Sequence, residues 1–178
     1  MKINRDSLPP EIQKANESLL DRLEKEALEK LRDPDYRYAT AAHESSHFYY
    51  RKQVGAVNIR FVGPHFSYDA AKKEIHVAAA GIGSDFTKFL SFRDMARYCV
   101  AGYIWEAFLT HTKEDLGGAV IDKKIFWEDV RRFCPSVTDN QIEATWVWAE
   151  GQVRSDFENP RIRSRIERLA RRFQKKLL

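Results

Sequence analysis

The spacing of apolar positions changes twice along the first half of the chain, and each change marks a change of backbone. Ile12, Ala15, Leu19, Leu23, Ala27 and Leu31 recur every three or four residues. That is the period of one helical face, and it predicts a helix over about 9–32 with Ser7 as its cap. Asp33-Pro34 stops this helix and can start the next, since aspartate caps first-turn amides and proline fits the first helical position. The second helix carries Tyr36 through Val54 and ends at Gly55, a residue suited to a left-handed cap. Residues 57–62 then alternate and are bounded by Gly63-Pro64, which predicts a strand. Residues 65–68 and 74–80 predict two more, joined by a polar turn over 69–73. After Gly81 and Gly83 the helical period returns. Ser91 with Asp94 marks a capped start, and that helix should reach about Thr110. Gly117-Gly118 predicts a break, followed by helices over about 121–133, 138–157 and 160–177. The expected fold is α+β and mostly helical, with a small sheet and a helical C-terminal half.

Size and composition fit one core. The chain has 178 residues, 43% apolar and 31% charged, which predicts a single domain over 1–178. Its expected parts are an N-terminal helix (1–33), the second helix with the sheet and the next helix (34–120), and the closing helices (121–178). No apolar run approaches the roughly 20 residues of a bilayer span, and the first residues carry no signal-peptide pattern. The expectation is a cytoplasmic protein without a transmembrane segment. Cys99 and Cys134 are too few for a disulfide framework and read as two buried thiols.

Charge alters the picture at one end only. Residues 161–178 hold eight basic side chains against Glu167 alone, a balance of +7, leaving −3 for the rest of a chain whose net charge is +4. Ile162, Ile166, Leu169, Phe173 and Leu177 form an apolar stripe on this last helix, with arginines on its other faces. The stripe predicts core packing. The basic faces suit solvent, an acidic partner, an anionic membrane surface or nucleic acid.

The sharpest chemical feature is His43-Glu44-Ser45-Ser46-His47, an H-E-x-x-H inside the second predicted helix. Residues four apart share a helical face, so both imidazoles can reach one ion, and zinc is the expected ion. Glu44, beside the first histidine, can take a proton from water at such a site. A catalytic zinc needs a third protein ligand, and spacing alone leaves Glu106, His111, Glu114, Asp115 and Asp122 open. His65 and His76 fall in predicted strands and read first as hydrogen-bonded sheet residues. The small side chains Ala78, Ala79 and Ala80 would let an extended peptide pair with their strand. Four tryptophans, Trp105, Trp127, Trp146 and Trp148, read as core or interface aromatics.

The segment Val100-Ala101-Gly102-Tyr103-Ile104-Trp105-Glu106, followed by Gly118-Ala119-Val120-Ile121-Asp122, resembles the peptidase domain of the FtsH-type AAA zinc proteases. The resemblance runs from about Tyr36 to the C-terminus and includes Asn159-Pro160 before the closing helix. It implies an aspartate as third ligand, which selects Asp122, 75 residues beyond His47. It further implies that Glu106 supports a ligand histidine, and it suggests a homo-oligomer. Ser46, Tyr103 and Ala107 depart from the family's glycine, arginine and second acidic residue. No G-x-x-x-x-G-K-[ST] occurs in the chain, so the expectation is a peptidase domain standing without the family's ATPase module.

Together these readings predict a zinc endopeptidase cleaving flexible protein or peptide segments, with His43, His47 and Asp122 as metal ligands and Glu44 as general base. The alternative is a zinc-stabilised, peptidase-derived adaptor acting through the basic C-terminal helix on an acidic partner.

Overall fold

Asp33 opens the helix that carries the histidines: its side chain accepts from the Asp35 amide at 2.9 Å, and Pro34 takes the first helical position. In a computed structural model that describes residues 3–70, 72–86, 91–113 and 116–177, this helix is the third of seven. The helices are α1 (Pro10–Ala15), α2 (Glu17–Lys30), α3 (Pro34–Gln53), α4 (Phe92–Thr110), α5 (Leu116–Phe133), α6 (Asp139–Ser155) and α7 (Pro160–Gln174). Between α3 and α4 lie β1 (Ala56–Val62), β2 (His65–Asp69), β3 (Glu74–Ala78) and β4 (Gly81–Phe86). The fold is α+β and mostly helical. Among the described residues no helix is long and apolar enough to cross a membrane.

The axis of the molecule is α4. It is apolar nearly all round, as a helix must be when neighbours cover every face, and Val100, Ala101, Ile104 and Trp105 on it are fully buried. Helices α3, α5 and α6 pack against it, sharing a core that includes Tyr50, Phe126, Ile142 and Val153. Trp105 meets Phe157 edge-on at 4.8 Å between ring centroids. Its indole N–H donates to the Tyr50 hydroxyl at 3.3 Å, and that hydroxyl donates to Asp156 at 2.7 Å. A second core seats α7 against α3 and β1 through Ala41, Phe173 and Leu177, with Phe61 stacked on Phe173 at 4.4 Å. The α7 stripe is thus spent inside the protein. A third core holds the N-terminal segment and α2 on the β2–β3 hairpin through Ile3, Leu8, Leu20 and Phe66.

Several boundaries differ from those expected. The helix over 9–32 is two helices, because Asn16 leaves the helical region (φ −125°) and turns its side-chain amide back to Ile12 O at 2.9 Å. Ser7 caps neither helix; its hydroxyl donates to Phe66 O instead. The single small sheet is two antiparallel pairs, β1 with β4 and β2 with β3. The predicted third strand stops at Ala78, a bend follows, and 81–86 form an unforeseen strand that closes on β1 around the hairpin. Gly117-Gly118 does not break the chain: both lie in the first turn of α5, where amides have no intrahelical partner in any case. Cys99 is buried as expected, whereas Cys134 is only partly so. Trp105 and Trp146 are core residues, Trp127 is half-buried, and Trp148 reaches the surface.

Candidate metal centre

Helical periodicity sets His43, His47 and Arg51 on one face of α3, toward α4 and the β4 side of the molecule. The two imidazoles meet Nε2 to Nε2 at 3.0 Å. Asp122, in the second turn of α5, brings Oδ2 to 3.4 Å from His43 Nε2 and 3.5 Å from His47 Nε2. Because α5 begins at Leu116, Asp122 sits inside the helix rather than at its cap. These three are the one group of metal-ligating side chains that converges among the described residues.

The outer nitrogens are tied down. His43 Nδ1 lies 3.0 Å from Glu106 Oε2, and His47 Nδ1 lies 2.6 Å from the Tyr98 carbonyl oxygen. Both partners can only accept, so each Nδ1 carries the proton and donates it, an assignment made from the network. Both Nε2 atoms of the neutral rings then turn lone pairs toward each other and toward the Asp122 carboxylate. With both rings neutral, three acceptors face one point with no donor among them, and Asp122 Oδ2 is buried without a hydrogen bond. A metal ion resolves this conflict, and in its absence a proton on His43 does. The three separations match the edges, about 3.3 Å, of a tetrahedron with the roughly 2.0–2.1 Å bonds of zinc to nitrogen and oxygen. The donor set, two imidazoles and a carboxylate, also suits that ion.

Close approach depends on Gly102, which sits in α4 directly beneath the rings. A Cβ there would lie 2.5 Å from His43 Nε2 and 2.6 Å from His47 Nε2, well inside contact distance. Gly102→Ala should therefore weaken zinc binding by about 10–100-fold or more, since it displaces both ring donors rather than loosening one. Glu106→Gln keeps the shape but lowers the basicity of its partner ring, and should cost about 10–100-fold in zinc affinity while leaving stoichiometry at one. Competition with a chelating dye reads both.

Charge at the site depends on what sits between the rings. Burial alone would lower the His43 pKa, but the carboxylates of Asp122, Glu106 and Glu44 outweigh it and hold the imidazolium well above its ordinary value. Burial alone would raise Asp122, but the histidine charges hold its carboxyl well below the usual carboxylate range. In chelator-treated protein the raised His43 pKa adds stability that is full below about pH 6.5, the unfolded value. It is lost as pH rises through the folded value. Zinc needs neutral rings, so zinc affinity should move the opposite way and rise over the same interval. Melting curves with and without chelator across this range should show opposite pH slopes.

The site opens into a cleft of about 510 Å³. Ala39, Ala78, Ala79, Ala80, Ile121 and Ile125 give it apolar walls, and Glu44 and Glu106 line it together with the ligand side chains. Arg51 closes one end, donating to Ile82 O and to Ser84 Oγ at 3.3 Å with its guanidinium 5.0 Å above Tyr98.

Comparison with protein-family models, curated proteins and solved structures gives no match for the chain.

Its chemistry is accordingly read from its own side chains. Of the expected candidates, His43, His47 and Asp122 are brought together, and Glu106 is held against His43 rather than among the three donors. His111 is exposed, in a left-handed cap (φ 55°) at the end of α4. Glu114 and Asp115 lie outside the described residues. His65 reaches the cleft wall but bonds Gly63 O at 2.9 Å, and His76 is exposed beside Glu74. Three contributors were missed from sequence. Arg51 was detectable, being one further turn along the histidine face. Gly102 is visible as a residue, but its contact with both rings is not. The Tyr98 carbonyl, being backbone, carries no sequence signal at all.

Proposed function

We propose that this chain is a zinc-dependent endopeptidase acting on extended or unfolded protein segments, with a zincin-like arrangement of the FtsH peptidase type. The supporting observation is the convergence of two imidazole Nε2 atoms and one buried carboxylate oxygen without a hydrogen bond in the wall of an open cleft. A zinc ion held by His43, His47 and Asp122 would polarise a substrate carbonyl and acidify a water molecule. Glu44 lines the same cleft without joining the three donors, so its carboxylate is available to accept the proton of that water and deliver it to the leaving amine. Glu106 and the Tyr98 carbonyl keep the two rings oriented through the cycle. Ala78, Ala79 and Ala80 leave room for a peptide backbone along the rim, where β3 is paired with β2 on one side.

The test is digestion of casein, an unfolded protein, by the zinc-loaded chain, with fragments read by mass spectrometry. Cleavage that stops with chelator and returns with zinc is the expected result. A second reading, a zinc-stabilised adaptor working through α7, is favoured by the basic side chains that α7 turns to solvent. It predicts intact casein at full zinc occupancy.

A further inference from the structure

Away from the cleft, α3 and α7 run side by side and leave a groove of about 460 Å³ between them. Its α7 wall carries Arg165, Arg168 and Arg172, all exposed, and its α3 wall carries Lys52. Phe48 and Leu169 form the floor, with Tyr49 and Gln53 beside Lys52. No carboxylate lines it, and among the described residues none of the four cations is ion-paired, although the Arg168 Nε–H donates to Ser164 O at 3.1 Å. Four like charges gathered in a concave surface without a counter-charge raise the local concentration of anions. Arginine's planar fork suits oxyanions in particular.

We infer that this groove binds single-stranded nucleic acid, with phosphodiester groups between the α7 arginines and Lys52 and a base against Tyr49. Four features favour that occupant. The apolar stripe of α7 is buried in the protein through Ile166, Ala170, Phe173 and Leu177, so the helix has no free face to insert into a bilayer. Residues 165, 168 and 172 follow one line down α7, about 10 Å long at the helical rise. That is room for two or three consecutive phosphates of one strand. The two cationic walls flank the floor, and each phosphodiester has two unesterified oxygens with which to meet both. A ring beside a cationic track is also the arrangement by which single strands are held without sequence preference.

The probe is a fluorescent 20-nucleotide oligothymidylate, its anisotropy titrated with the full zinc-loaded chain at several salt concentrations. Two or three neutralised phosphates predict a slope of log affinity against log salt near −2. Arg165→Gln/Arg168→Gln/Arg172→Gln should weaken binding at least about tenfold at low salt and bring the slope to about −1, with an unchanged melting temperature. Arg161→Gln/Arg163→Gln/Lys175→Gln removes the same charge outside the groove and should keep most of the affinity. Should the groove triple variant fold poorly, Lys52→Gln on the opposite wall must by itself lower the slope by about 0.7. Equal losses in the two triple variants would overturn the proposal in favour of diffuse charge attraction. Tighter binding to phosphatidylglycerol vesicles or to polyglutamate than to the oligonucleotide would likewise overturn it, assigning the groove to a membrane or an acidic protein.

Discussion

Replacing His43 and His47 together with alanine should abolish zinc binding and lower the melting temperature of zinc-saturated protein by about 5–10 °C. The size follows from linkage. A ligand present at 100 times its dissociation constant stabilises the folded chain by about 2.7 kcal/mol, and a domain of this length shifts roughly 2–4 °C per kcal/mol. The effect is large because the three donors come from α3 and α5, with α4 holding the rings, so a bound ion ties segments far apart in sequence. With chelator present the difference should shrink, since neither protein then holds an ion. Asp122→Ala should also lose the zinc-dependent stability. Without metal it also removes the carboxylate that holds the His43 imidazolium well above its ordinary value, so its melting temperature in chelator should fall below that of the parent near pH 6.5, and the gap should close as pH rises through the folded His43 value. Plasma emission analysis of zinc content alongside the melts checks all three chains. Full zinc occupancy in the double variant would remove the basis for the site.

Glu44→Gln is expected to act on turnover alone. The side chain lines the cleft but is not one of the three donors, and the substitution keeps its shape. Zinc content and melting temperature should therefore stay near those of the parent. Loss of the proposed general base should cut turnover of an unstructured peptide by at least about 10²-fold, the lower end of such contributions. A fall in zinc content matching the fall in turnover would instead make Glu44 part of the ligand set.

How much of this was readable beforehand differs by feature. The α3 boundaries follow from Asp33-Pro34 and Gly55, where local chemistry determines backbone, and the structure places the helix between them. The Ser91 cap was legible for the same reason, accepting from the amide three residues on. The sheet was not. Pairing β1 with β4 around an intervening hairpin is a long-range contact, and residues 81–86, with Gly81 and Gly83 among them, carry little strand propensity of their own. Gly117-Gly118 misled because glycine disfavours a helix interior but costs little in a first turn. At the site, two histidines four apart carry their geometry in their spacing. Asp122 does not: spacing left it one of five candidates until the resemblance selected it, and the packing of α5 on α4 brings its oxygen to the rings.

The central claim, that this site hydrolyses peptide bonds, is tested most directly with natural ligands in place of a generic substrate. Proteins captured from a lysate by the zinc-loaded Glu44→Gln chain are offered to the zinc-loaded parent, and new termini are read by mass spectrometry. The account predicts chelator-sensitive cleavage of captured partners within extended segments. Partners that remain intact at full zinc occupancy, and whose capture requires the basic face of α7 but not the metal, would contradict it.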